Sequence, residues 1–216
     1  MIEAVIFDLD GVLVSTDDFH YEAWSKMAQE EGIPFDRKIY QRLLGVSRMN
    51  CVDIILEKST RMYTDKEKQE LAERKNRYYL KKIERLSDNH LMPGAKETVQ
   101  RLKANGLKVA LGSSSKNAKT ILKRLKIDVL FDAIVDGNDI THSKPNPEVF
   151  LLAANRMGIT PENCLVVEDA DSGVEAAIKG RMKVLGIGAA CTNPQATITA
   201  RNLSQIDLIQ FIADQR

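Results

Sequence analysis

The sequence predicts an α/β fold: a Rossmann-like, mostly parallel sheet with helices on both faces, plus a small α-helical domain inserted after the first strand. In the C-terminal half, short apolar, β-prone runs alternate with segments of helical periodicity, the punctuation of successive βαβ units. Between Val14 and about Asp88 that alternation stops, and only charged amphipathic segments at helical spacing remain. At 216 residues the chain is long enough for one good core and a smaller second domain. The expected division is residues 1–14 with 88–216 as the α/β core and 15–87 as the helical domain.

The elements follow in order. Ala4-Val5-Ile6-Phe7 is the apolar run of the first strand, read as extending to Leu9. Ser15 with Asp18, and Thr64 with Glu67, each fit an N-cap with an acid three residues on, so helices are expected to begin near Thr16 and Asp65. Met92-Pro93-Gly94 marks the return to the core. There Leu107–Leu111 reads as a strand followed by a helix over Lys116–Leu125, Ala133–Val135 by a helix over Pro147–Met157, and Leu165–Val167 by a helix over Ser172–Ile178. Val184–Ile187 is a last short strand.

The charges nearly balance, with a formal net of +1, so neither a nucleic acid nor an anionic membrane is the expected partner. A small molecule fits better. Cys51, Cys164 and Cys191 are far apart, with no spacing that builds a zinc site or a disulfide framework. The N-terminus has no basic segment, and Asp8 and Asp10 interrupt its apolar run, so neither a signal peptide nor a membrane span is expected. These features suit a cytoplasmic protein, taken as a monomer. Gly186-Ile187-Gly188 resembles the start of a dinucleotide fingerprint but continues into Ala189-Ala190-Cys191 without a clear helix or acidic partner, so no nucleotide cofactor is expected.

The chemistry is concentrated where strands end. Asp8 and Asp10 close the first apolar run and are followed at once by Gly11, and a carboxylate there loses hydration unless a cation or hydrogen-bond donors replace the water. In a parallel sheet the carboxyl ends of the strands are also where ligands bind. Ser113-Ser114-Ser115-Lys116-Asn117 follows the second apolar run and leads into a helix, whose free N–H groups and added lysine suit a phosphate. Lys144-Pro145 and Glu168-Asp169 complete the group. Each piece alone has an ordinary reading, as a cap, a solvated lysine or a polar strand end. Their joint placement points to phosphoryl transfer.

Two unit charges 4 Å apart repel by roughly 4 kcal/mol at an effective dielectric of 20. Asp8, Asp10, Glu168 and Asp169 gathered at one sheet edge therefore call for a cation. Oxygen-only donors with no histidine or thiolate nearby in sequence favour Mg2+.

These residues resemble the haloacid dehalogenase superfamily of phosphotransferases over essentially the whole chain. The Asp8-Leu9-Asp10-Gly11-Val12 segment, the serine strand end, the lysine before proline and the acidic pair stand in that superfamily's order and approximate spacing, and the helical insertion looks like its small cap domain. The His20–Trp24 segment, Gly45-Val46-Ser47-Arg48, Arg74-Lys75-Asn76 and Ser113–Asn117 further resemble its sugar-phosphate mutases. Cys51 stands where those mutases lead one to expect serine.

The resemblance implies interconversion of β-glucose 1-phosphate and glucose 6-phosphate through an aspartyl phosphate and a 1,6-bisphosphate. It makes Asp8 the nucleophile and Asp10 the acid and base toward the sugar hydroxyl, its carbonyl on the metal. Ser113 and Lys144 stabilise the transferring phosphoryl group, and Glu168 and Asp169 join Asp8 at the metal. Ser115, Lys116 and Asn117, with His20, Trp24, Gly45, Val46, Ser47, Arg48 and Lys75 of the cap, bind the sugar phosphate. Beside this stand ordinary readings: Arg48 as a solvated charge, Lys75 as a lysine snorkelling over Leu71 and Tyr79, and His20 as a histidine of the cap core that otherwise orients Asp10 or a substrate hydroxyl.

The alternative within the superfamily is a sugar-phosphate phosphatase, because the core motifs do not choose between water and a sugar as acceptor. Halide displacement at carbon gives Asp10 and the acidic pair no purpose, and a retired member serving only as a binding module is expected to have lost one of Asp8, Asp10, Lys144 or Asp169.

Overall fold

The computed structural model describes residues 1–44 and 46–215. The chain divides into two compact units, Met1–Ser15 with Ser87–Arg216, and Thr16–Leu86. The first is an α/β unit built on a six-stranded sheet in the order β3-β2-β1-β4-β5-β6, with β1 Ala4–Phe7, β2 Lys108–Gly112, β3 Ala133–Val135, β4 Cys164–Glu168, β5 Lys183–Gly186 and β6 Ile198–Thr199. Every pairing is parallel.

Val5, Ile6 and Phe7 are all wholly buried, as expected for a central parallel strand covered on both faces. Alternation along the strands assigns the faces. Ile6, Ala110, Val166 and Val184 form one cluster with Val149, Phe150 and Ala153 of α7 (Glu148–Met157) and Val174 and Ala177 of α8 (Asp171–Lys179). On β2 also packs α5 (Ala95–Ala104), itself in contact with α9 (Leu208–Ala213). Fully burying side chains of this size is worth about 1.5–3 kcal/mol each.

The register positions the site. Phe7 pairs with Leu111 on one side and Val167 on the other, and Gly112 pairs with Val135. The next residues along these strands, Asp8, Ser113, Asp136 and Glu168, therefore reach the same edge. Three expectations shift here. The first strand stops at Phe7, not Leu9, because Leu13 and Val14 both donate to the Leu9 carbonyl and curl residues 9–14 into a turn. The helix after β2 is α6, Ala118–Arg124, starting two residues beyond Lys116. The sixth strand went unread because it is two residues long.

The second unit is helical: α1 Asp17–Glu30, α2 Arg37–Gln41, α3 Arg48–Leu56 and α4 Asp65–Ile83. Thr64 and Glu67 form the expected reciprocal cap at the start of α4. Ser15 does not cap α1; the N-cap is Thr16, without a side-chain bond to the helix, and its hydroxyl instead accepts from Tyr79 at 3.2 Å. Trp24, Met27, Ile39, Leu43, Val52, Ile55 and Leu71 make this unit's core.

Candidate active site

Lys144 is the hub of the α/β unit's strand ends. Its Nζ donates to Asp8 Oδ1 at 2.5 Å and to Glu168 Oε1, lies 4.7 Å from the centre of the Phe150 ring, and is almost inaccessible to solvent. Burial alone would lower the Lys144 pKa; Asp8 and Glu168 outweigh it, and the ammonium is held more firmly than in water. The peptide joining Lys144 to Pro145 is cis.

The acids feel the opposite pressure. Burial raises the Asp8 pKa well above the usual carboxylate range, against the pull of Lys144, with Glu168 and Asp169 adding to the rise. Asp169 is pushed up to about 7 by burial and then by Glu168 and Asp10. Glu168 is fastened by its second oxygen, which accepts from the backbone N–H of Asp169 at 2.9 Å and Ala170 at 3.1 Å. Gly11 lets the first turn pass beside this group. Its φ is +81°, and a Cβ there would overlap the Asp169 carboxylate, so neither a side chain nor the left-handed backbone suits another residue.

The serine segment is a chain of short hydrogen bonds. Ser113 N–H donates to the Val135 carbonyl at 3.1 Å, Ser115 N–H to Ser113 Oγ at 3.1 Å, and Asn117 N–H to Ser115 Oγ at 3.3 Å. Ser113 and Asn117 are buried, while the Lys116 side chain is exposed and makes no ion pair among the described residues.

In the helical unit, the Lys75 Nζ lies 2.7 Å from His20 Nδ1 and sits over the Trp24 and Tyr79 rings at 4.6 and 4.8 Å. An ammonium only donates, so Nδ1 accepts and the proton of the neutral ring belongs on Nε2. Burial, then Lys75 and Arg48, hold the His20 pKa well below its ordinary value, and its ring stacks on Tyr79 at 4.1 Å. Lys75 is thus buried and hydrogen-bonded, not snorkelling. Trp24, expected at the substrate, is a core residue that supports Lys75. Ser47 caps α3, accepting from Asn50 N–H at 3.3 Å. Arg48, the first residue of α3, is half-buried, without an ion pair among the described residues, and burial lowers its pKa. Val46 packs against the unit's core, and Gly45 lies outside the described residues. Cys51 is buried, 3.6 Å from the Leu43 and Val46 carbonyls, and burial lifts its thiol to about 11.

The family model for haloacid dehalogenase-like hydrolases matches residues 2–180. The chain belongs to this family. A β-phosphoglucomutase of Bacillus subtilis is 40% identical to this haloacid dehalogenase-like hydrolase over 209 residues, 96% of this chain and 92% of that protein. A phosphorylated carbohydrates phosphatase of Thermotoga maritima is 32% identical over 203 residues, 92% of this chain and 91% of that one. Among solved structures, a β-phosphoglucomutase from Clostridium difficile superimposes with a TM-score of 0.92 at 37% identity, covering 100% of this chain and 97% of that chain.

In this haloacid dehalogenase-like hydrolase, one oxygen each of Asp8, Glu168 and Asp169 lie within 4.8 Å of one another. Oxygen-only donors, two of them with pKa values raised by burial and by the neighbouring carboxylates, suit a hard divalent cation. The Asp10 carboxylate is not in that group. Asp136, at the same sheet edge and 1% exposed, was not singled out in the sequence; an acid directly after Ala133-Ile134-Val135 is the same signal that marked Asp8 and Glu168.

Proposed function

We propose that this enzyme interconverts β-glucose 1-phosphate and glucose 6-phosphate, with Asp8 as the group that carries the phosphoryl in transit. The observation that carries this reading is the likeness to the Bacillus subtilis β-phosphoglucomutase, 40% identical over 96% of the chain and so including the helical unit as well as the α/β unit. The site's geometry supports the chemistry. A Asp8 carboxylate oxygen attacks phosphorus, the bond from phosphorus to the sugar oxygen breaks, and Asp10 delivers the proton that oxygen takes up. Lys144, already on Asp8, balances charge that spreads over the phosphoryl oxygens, and Ser113 offers a hydroxyl at the neighbouring strand end. The reverse transfer to the other sugar oxygen completes the mutase cycle.

Mg2+ is the cation this reading assigns to Asp8, Glu168, Asp169 and the Asp10 carbonyl, where it would neutralise charge on the phosphate. Ser115, Lys116 and Asn117 grip the non-reacting phosphate. Lys75 and Arg48, the cations that depress the His20 pKa, give the helical unit a positive field suited to an anionic ligand. The buried, free Cys51 and Cys164 suit a reducing cytoplasm.

A second reading, hydrolysis of sugar phosphates, draws on the Thermotoga maritima phosphatase at 32% identity. Phosphorus NMR with β-glucose 1-phosphate, Mg2+ and a trace of glucose 1,6-bisphosphate separates the two. Glucose 6-phosphate should accumulate with little free phosphate. Stoichiometric phosphate without isomerised product would replace the mutase by the phosphatase.

A further inference from the structure

The turn that presents Lys116 and Asn117 is braced from outside by the loop after β3. Asn138 Nδ2 donates to the Lys116 carbonyl at 2.9 Å, and Gly137 N–H donates to the Ser115 carbonyl at 3.1 Å. The approach at Gly137 is so close that a Cβ there would overlap the Ser114 carbonyl. The loop holding both is itself hydrogen-bonded to its surroundings. Buried Asp136 accepts from Asn138 N–H at 2.9 Å through Oδ1, and Asp136 N–H donates to Asp139 Oδ2 at 2.9 Å. Asp139 is anchored by Lys119 of α6 and Arg156 of α7, each at 2.9 Å, and Arg156 first among its partners keeps the Asp139 carboxyl well below the usual range.

These bonds have a direction. Two strand ends and two helices converge on one short loop, and what that loop offers the serine segment is two donors, one backbone and one side chain. The side-chain donor meets the carbonyl of Lys116, whose exposed ammonium makes no ion pair among the described residues. A lysine on an otherwise free turn samples many positions, and fixing its main chain reduces what a phosphate must order on binding.

We propose that Asn138 is a positioning residue for the non-reacting phosphate: by holding the Lys116 carbonyl it sets the turn from which Lys116 and Asn117 meet that group. This rests on the mutase reading of the turn, in which the phosphate already on β-glucose 1-phosphate is the one not transferred. Asn138 touches no reacting atom, and its side chain is exposed.

The test uses Asn138→Asp, which replaces the donor by an acceptor of the same shape, and Asn138→Ala. Losing one hydrogen bond of ordinary strength should raise KM for β-glucose 1-phosphate by about 3- to 10-fold. Phosphorylation of the enzyme by acetyl phosphate, which brings no second phosphate, should keep its kinetics, and kcat should hold. In both variants amide hydrogen exchange across residues 113–118 should accelerate. Equal losses with both phosphate donors, unchanged KM values, or unchanged exchange in this segment would each overturn the proposal. If wild-type enzyme releases phosphate without isomerised product, the mutase reading fails by that result, and the exchange measurement alone judges Asn138.

Discussion

Lys144→Met offers the most direct test of how the site holds its charge. Methionine keeps the length of the stem that crosses Phe150 and removes only the ammonium. What remains is Asp8 facing Glu168 with the cation between them gone, both side chains almost wholly enclosed and the latter also tied to the Asp169 and Ala170 amides. Removing one partner of a buried ion pair costs about 3–5 kcal/mol, and the metal-free protein should sit near 3 kcal/mol because Asp8, already pushed toward its protonated form, can take up a proton. For a chain of this size that lowers Tm by about 6–12 °C.

The pH dependence has a definite sign. A carboxyl whose folded pKa lies above its unfolded value binds more protons folded than unfolded, so its contribution to stability falls as pH rises between the two values. Without Lys144 the Asp8 pKa rises further, since the ammonium was the main influence opposing burial. The variant's deficit should therefore be largest at pH 8 and narrow toward pH 5, by at most about 1.4 kcal/mol per pH unit for each proton taken up. Urea denaturation of metal-free wild type and variant at pH 8, 6.5 and 5 measures it. Equal stability at pH 8, or a deficit that grows on acidification, would refute the account of Lys144 as the compensating charge.

Gly11→Ala should cost about 1–2 kcal/mol for its left-handed backbone and displace the Asp169 carboxylate, so the rise in Tm expected of the wild type with excess Mg2+ should be largely lost; an undiminished rise counts against Asp169 as a ligand. Asp10→Asn should slow isomerisation by about 10²- to 10⁴-fold without unfolding the protein, as stopped-flow transfer and circular dichroism would show, and a wild-type rate would remove its acid and base role. His20, with its pKa held low by burial, Lys75 and Arg48, binds fewer protons folded than unfolded, so stability should fall as pH drops below about 6.5. His20→Gln should flatten that limb between pH 7 and 5.5, and an unaltered slope in urea titrations would contradict the Lys75 contact that keeps the ring neutral.

The sheet and the acids at its edge were legible for one physical reason. Parallel register brings the residues that follow apolar runs to a common edge, so Asp8, Ser113 and Glu168 needed no contact information to be grouped, whereas Lys144, before a proline and after no apolar run, joined them through the resemblance in motif order. Residues whose role depends on what lies beside them were not legible. Ser15 with Asp18 reads as the cap of the first helix, yet the N-cap is Thr16, and only its contact with Tyr79 says where the Thr16 hydroxyl is used. Trp24 falls on one helical stripe with His20, and Lys75 on another with Leu71 and Tyr79, but stripe position cannot tell a residue that meets a ligand from one that holds its neighbour, and the Trp24 ring lies against the Lys75 ammonium. Cys51 differs from serine in ways a motif comparison registers as a lost contact. Its thiol lies near the carbonyls of Leu43 and Val46, the latter within a segment expected at the substrate. Asp136 shows the limit most clearly. It carries the same strand-end signal as Asp8, yet its Oδ1 is used on Asn138 N–H and its other oxygen faces Lys119 at 3.6 Å. An acid at the edge of a parallel sheet thus marks where chemistry is possible, and its surroundings separate one gathered with other acids, as Asp8 is with Glu168 and Asp169, from one spent on bracing the turn beside it.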